Sequence, residues 1–304
     1  MVGELIEEID ELRTEKRAII LAHNYQRPEV QDVADFVGDS LELAQKACGT
    51  NADIIVFCGV DFMAETAAIL NPDKKVLIPD IGANCPMAQQ LPKEELLAAK
   101  EEYPNAEVVL YINTLAEAKV YADCICTSAN APRIIEAMKT DTVLFGPDHN
   151  LAYYSQKRTG KKIVQVPEYG LCPTHHQITE SDLMEAKKEH PDAKVVVHPE
   201  CISEIQELAD HIASTSGMVR YCKESDTEDF LIGTEVGLLY RLSKEVPGKK
   251  FYPLSKSAIC PQMKMHTLKK VIKAMEDEEP EVIVSEVIAK EANKPIERML
   301  ELSR

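Results

Sequence analysis

Short apolar runs alternate with charged amphipathic stretches along most of the chain, and the order of the runs repeats. RAIILAHNY, AEVVLYINT and AKVVVHPEC are continuously apolar until they end in polar residues. Runs of this kind, bounded by helices, describe strands of a parallel sheet buried on both faces. An acidic amphipathic helix over 3–16 leads into a first strand at Arg17–Ala22. In the second period the pattern predicts strands at 107–112, 123–127, 142–146 and 162–166, with helices at 115–121, 131–139 and 149–158 between them. LPKEELLAAKEEYP and TESDLMEAKKEHP read as the helices that follow each set of strands, with Thr179 or Ser181 available to cap the second.

The period is sharpest at a Cys-Pro turn that occurs three times, in KKVLIPDIGANCPMA, KKIVQVPEYGLCPTH and KKFYPLSKSAICPQM. Its cysteines, Cys85, Cys172 and Cys260, are 87 (172 − 85) and 88 (260 − 172) residues apart. Solenoid repeats run about 20–50 residues, so this spacing implies three copies of a whole domain. Further registers agree. His23, Tyr111 and His198 align, and two residues on so do Tyr25, Asn113 and Glu200. VADFVGDS, YADCICTS and LADHIAST align Ser40, Ser128 and Thr215, while DIIVFCGVD, DTVLFGPDH and EDFLIGTEV form another set. The expected fold is α/β: three pseudo-symmetric repeats at 1–104, 105–191 and 192–278, each a small α/β/α sandwich with a parallel sheet, around a central active site. Residues 279–304 have no counterpart; VIVSEV is expected as a strand and PIERMLEL as a helix, docking back on the first repeat.

Charge and composition narrow the function. A net charge of −17 disfavours nucleic acid and anionic membrane as partners. No apolar run approaches the roughly 20 residues needed to span a bilayer. The first residues, MVGELIEEIDELRTEKR, do not resemble a signal peptide, and the expected location is cytoplasmic. Nine cysteines is an odd number, which argues against a closed disulfide framework. Six of them (Cys48, Cys58, Cys124, Cys126, Cys201 and Cys222) lie mostly in or beside apolar runs, where a free thiol behaves as a small hydrophobe. Only Cys85, Cys172 and Cys260 repeat.

In parallel α/β units ligands bind beyond the carboxyl ends of the strands. The aligned histidines and tyrosine end the first strand of each repeat, the aligned hydroxyls follow the second, and the cysteines follow the fourth. Three repeats about a pseudo-threefold axis, with these ends inward, would bring all nine positions to one cavity. Ser40, Ser128 and Thr215 suit helix capping and anion binding equally, because both use free N–H groups at a helix start. For three convergent thiols, three chemistries stay open on the residues alone. One is a Cys3His zinc site completed by His175, His176 or His266. Another is a disulfide with a free thiol. The third is a [4Fe-4S] cluster with one iron free to act on substrate oxygens, which the surrounding hydroxyls and imidazoles favour.

At these residues the chain resembles the quinolinate synthase family over essentially its whole length. The similarity is carried by AHNYQ at 22–26, GDS at 38–40, CPM at 85–87, YINT at 111–114, CTSAN at 126–130, GPDHNLA at 146–152, CPTHH at 172–176, HPEC at 198–201, STSGM at 214–218, GTEVGLLYRL at 233–242 and CPQM at 260–263. The resemblance implies an iron–sulfur enzyme of NAD biosynthesis that condenses iminoaspartate with dihydroxyacetone phosphate to quinolinate, releasing phosphate and water. A hydro-lyase using the same open iron is the alternative. By resemblance, Cys85, Cys172 and Cys260 hold the [4Fe-4S] cluster, and His23, Ser40, Tyr111, Asn113, Ser128, His198, Glu200, Ser214 and Thr215 bind substrate. Tyr25, Glu200, His198, Tyr111 and His175 are the candidates for proton transfer and orientation, and Lys223 for phosphate. An L-aspartate oxidase or dehydrogenase is the expected supplier of the imine. Some members carry a CxxCxxC run at the third cysteine; here Met263 and His266 stand at the corresponding positions, so redox regulation through that run does not carry over.

Overall fold

The predicted apolar runs of the three repeats become strands because their residues leave water on both faces, worth about 1.5–3 kcal/mol for each large aliphatic side chain fully buried. A computed structural model describes residues 2–304. Helix α1 (Val2–Glu15) precedes the first repeat, in which β1 (Ala18–His23), α2 (Pro28–Val33), β2 (Phe36–Gly38), α3 (Ser40–Cys48), β3 (Ile54–Cys58), α4 (Asp61–Leu70) and β4 (Lys75–Leu77) alternate. After helix α5 (Lys93–Glu102) the second repeat runs β5 (Glu107–Tyr111), α6 (Ala116–Lys119), β6 (Cys124–Cys126), α7 (Ala131–Glu136), β7 (Thr142–Gly146), α8 (His149–Gln156) and β8 (Lys162–Gln165). Helices α9 (Pro173–His176) and α10 (Glu180–Glu189) lead to the third. It comprises β9 (Lys194–Val197), α11 (Ser203–Leu208), β10 (His211–Ile212), α12 (Thr215–Glu224), β11 (Asp229–Gly233), α13 (Leu238–Glu245) and β12 (Lys250–Pro253). Helices α14 (Leu268–Asp277) and α15 (Glu286–Leu302) complete the chain.

The three sheets have one topology, β2-β1-β3-β4, β6-β5-β7-β8 and β10-β9-β11-β12, and every pairing within them is parallel. The fold class is therefore α/β with three repeated units. One repeated motif is structural. The aspartate of each Ala-Asp pair before the second strand accepts a backbone N–H of the first strand: Asp35 from Ile20, Asp123 from Val108 and Asp210 from Val195, each at 2.7 Å. This fixes the second strand's entry, and with it the hydroxyl that follows.

The helix after each Cys-Pro turn packs on the next sheet rather than on the one before it. Leu183 of α10 joins the core of the third sheet with Val195 and Val197. Leu268, Val271, Ile272 and Met275 of α14 join the core of the first sheet with Ile9 of α1 and Ile20 and Val56. From α5, Lys100 donates to the Tyr121 carbonyl of the second repeat at 3.0 Å. Residues 93–102, 180–189 and 268–277 thus pack against the following repeat. Each Cys-Pro turn therefore links one sheet to a helix that packs on the next.

The end of the chain differs from expectation. VIVSEV forms no strand: a single antiparallel bridge pairs Glu281 with Leu77, and Val282 donates to the Val76 carbonyl at 2.8 Å. Those contacts lie on the first repeat, but α15 lies against β6 and α6 of the second repeat as well as α4 of the first. Arg298 donates to the Asp123 carbonyl at 3.0 Å, so the helix closes the seam between two repeats. Among the described residues no helix is long and apolar enough to cross a membrane.

Candidate active site

The carboxyl ends of all three sheets open on one cavity. Cys85, Cys172 and Cys260 line it together with His23, Tyr25, Ser40, Tyr111, Asn113, Ser128, His175, His198, Glu200 and Thr215. Residues read as equivalent along the chain therefore meet in space.

First and third repeats enter the cavity through the same turn. The backbone N–H of Tyr25 donates to Nδ1 of His23 at 3.2 Å, and that of Glu200 donates to Nδ1 of His198 at 3.3 Å. An accepting Nδ1 leaves Nε2 as the protonated ring nitrogen of a neutral imidazole. Burial, followed by the neighbouring His198, lowers the pKa of His23 to about 3. Burial likewise lowers that of His198 to about 3, against the pull of Glu200. His198 Nε2 meets Ser128 Oγ at 3.2 Å across the boundary with the second repeat.

Glu200 is the electrostatic centre. Its carboxylate accepts from the Tyr111 hydroxyl at 2.5 Å and lies 2.7 Å from His175 Nδ1. Burial opposes its ionisation, but His175, His198 and the two hydrogen bonds outweigh burial and hold the carboxyl well below the usual carboxylate range. The same burial and the Glu200 charge push the phenols of Tyr25 and Tyr111 well above theirs. Tyr25 and His175 share Thr234, whose hydroxyl lies 2.6 Å from the phenol oxygen and 2.8 Å from His175 Nε2. The result is a continuous chain Tyr25–Thr234–His175–Glu200–Tyr111. Val60, Phe62, Met63 and Met87 give the cavity an apolar wall. Asn113 brings a buried Oδ1 with no hydrogen-bond partner among the described residues.

The three repeated thiols fit a metal group by donor chemistry and position. They are half-buried, all nine cysteines are free, and burial first, then neighbouring negative groups, raises the pKa of each of the three. Such thiols lose their protons when a cation offers compensation. Cys172, His175 and Glu200 also offer ligand atoms within 4.8 Å of one another, a second arrangement that could hold an ion.

Some expected site residues lie elsewhere. Ser214 is outside the cavity: it caps α12 by accepting from Gly217 and donates to Asp39 at 3.1 Å. Lys223 sits exposed in the last turn of α12, at the end remote from the cavity, because Thr215 at its first turn is the residue that faces inward. The capping alternative for Ser40 and Thr215 falls one residue off. Asp39, in a capping box with Glu42, and Ser214 are the caps, which leaves both hydroxyls free to face the cavity. Ser128 caps nothing, since α7 starts at Ala131. Sequence reading passed over Thr234, Asp39, Thr127 and Thr174. Thr234 was within reach, because it stands in the repeated set EDFLIGTEV beside the end of β11.

Comparison with known proteins places the chain in a family. The family model described as quinolinate synthetase A protein matches residues 7–301. The chain is 55% identical over 304 residues to the quinolinate synthase of Methanothermobacter thermautotrophicus, covering 100% of both chains. It is 56% identical over 301 residues to that of Pyrococcus horikoshii, covering 99% of this chain and 100% of the other. It is also 56% identical over 302 residues to that of Pyrococcus furiosus, covering 99% of each.

Proposed function

The chain belongs to the quinolinate synthetase A family and is an enzyme of that kind acting on small molecules, and from that premise we propose that it condenses iminoaspartate with dihydroxyacetone phosphate to quinolinate. Atom balance between a four-carbon imino dicarboxylate, a triose phosphate and a pyridine dicarboxylate releases one phosphate and two waters. The observation that carries the reading is the meeting of three equivalent thiols in the cavity where the strand-end histidines and hydroxyls converge. Cys85, Cys172 and Cys260 would hold a [4Fe-4S] cluster. When bound, three-thiolate clusters supply a Lewis-acidic iron with a position for substrate oxygens.

The protein's own residues bind and move protons. Neutral His23 and His198 offer ring N–H groups, and Ser40, Ser128 and Thr215 offer hydroxyls, a donor set suited to two carboxylates. The unpartnered Oδ1 of Asn113 supplies an acceptor for the imine N–H. Glu200, at the centre of the hydrogen-bonded chain, takes protons, and Tyr25, linked to it through Thr234 and His175, gives them. The apolar wall excludes water from an imine that water would hydrolyse. Such an unstable substrate implies a nearby L-aspartate oxidase or dehydrogenase as its source. Nine free thiols suit a reducing cytoplasm.

The Cys172–His175–Glu200 grouping favours a second reading, a single metal ion in place of the cluster. Anaerobic assay of reconstituted protein with both substrates separates the readings. The account expects quinolinate formation that depends on iron and sulfide; turnover with a single bound metal and no sulfide would overturn it, as would loss of water from another carboxylate with no pyridine product.

A further inference from the structure

Each cysteine turn is held from behind by a carboxylate. The backbone N–H of Cys85 donates to Asp61 Oδ1 at 2.9 Å, that of Cys172 to Asp148 Oδ2 at 3.2 Å, and that of Cys260 to Glu235 Oε1 at 3.2 Å. The acids stand just past the third strand of their repeats, 24, 24 and 25 residues before the cysteine. Where the interval is one residue longer, the side chain is one methylene longer, so the contact survives a change in both. Each carboxylate also accepts an N–H at the start of the helix that follows: Phe62 at 2.8 Å, Leu151 at 2.6 Å and Gly237 at 2.7 Å. The acid therefore ties a rigid helix start to the backbone of the cysteine. A further device tightens the second turn. Gly170 lies so close to Pro147 that a Cβ there would sit 2.0 Å from the Pro147 carbonyl oxygen.

We propose that Asp61, Asp148 and Glu235 are positioning residues for the metal group, each fixing the backbone from which one cysteine reaches it. The proposal rests on the cluster reading above. Groups that orient metal ligands typically govern affinity by about 10–100-fold. None of the three acids needs to touch the cluster: each acts through a backbone amide.

The test is the rate at which a chelator strips iron from anaerobically reconstituted protein, for wild type, Asp148→Ser, Asp61→Ala and Asp61→Asn. A serine at 148 still caps α8 but has no second oxygen for the Cys172 N–H, so helix capping and cysteine positioning come apart. Asparagine at 61 retains the acceptor oxygen used by Cys85 and Phe62. We expect iron release about 10–100-fold faster in Asp148→Ser and Asp61→Ala, and close to wild type in Asp61→Asn. Release at the wild-type rate in the first two overturns the proposal. So does equally fast release from Asp61→Asn, which would assign the effect to charge, and so does an apo chain of either variant that melts far below wild type, which would assign the acids to folding. Failure of the wild type itself to take up iron and sulfide would instead overturn the cluster reading.

Discussion

The corner His23–Tyr25 of the first repeat and the corner His198–Glu200 of the third have one backbone and two chemistries. In both, the amide two residues beyond the histidine donates to its Nδ1, and burial keeps the ring neutral. The side chain on that amide differs. Tyr25 points a phenol at Thr234 and His175, whereas Glu200 points a carboxylate at Tyr111 and His175. The turn delivers an uncharged imidazole in both repeats, and the residue two positions on differs, a phenol in one corner and a carboxylate in the other. The repeat supplies positions, and divergence within it supplies different side chains there.

Substitutions at the two corners should separate frame from role. Glu200→Gln preserves shape and removes the proton acceptor. Turnover should fall about 10²–10⁴-fold with cluster content unchanged, measured by steady-state rate beside iron analysis. Unchanged turnover would remove Glu200 from the chemistry. Tyr25→Phe leaves Thr234 and His175 able to bond to each other, so a smaller loss, about tenfold, is expected; a loss as large as that of Glu200→Gln would mean the two corners share one role.

The histidines, alike in both corners, should behave alike. Below the usual pKa of 6.5 the unfolded chain takes up a proton on each ring that the folded chain refuses until about pH 3. Stability therefore falls as pH falls through that window. Glu200, held below its unfolded value, adds to the loss in the same direction near the low end. Unfolding midpoints of the metal-free protein should drop between pH 6.5 and 4.5. His23→Gln and His198→Gln should each flatten the slope; a slope untouched by both would mean the rings are protonated in the fold. The smallest effect is expected at Ser214→Ala, about 1 kcal/mol of stability from the lost cap with turnover nearly unchanged. A large fall in turnover there would return Ser214 to the substrate site.

Periodicity made the strand ends readable. The runs expected at 107–112 and 142–146 are β5 (Glu107–Tyr111) and β7 (Thr142–Gly146), because a continuous apolar run between helices has few other ways to bury itself. Thr179 caps α10 in a capping box with Asp182, one of the two residues the pattern offered. Features that depend on a choice between neighbours were not readable. Nothing local tells α10 or α14 which of two sheets to cover. Nothing local distinguishes Asp39 from Ser40 as the cap, although that choice frees Ser40 for the cavity. Lys119 in AEAK is fully buried, bonded to Thr66 at 3.0 Å, with burial lowering its pKa to about 8 against the pull of Glu65 and Asp61. The seam between first and second repeats hides it, and a seam is absent from any single repeat.

The central claim is that three thiols from three repeats hold one cluster, and iron with acid-labile sulfide measured on anaerobically reconstituted protein tests it most directly. The account predicts a brown protein with about four irons and four sulfides per chain, and a folded, colourless one after Cys172→Ala. A single zinc without sulfide, or a Cys172→Ala chain with its iron and turnover intact, would contradict it.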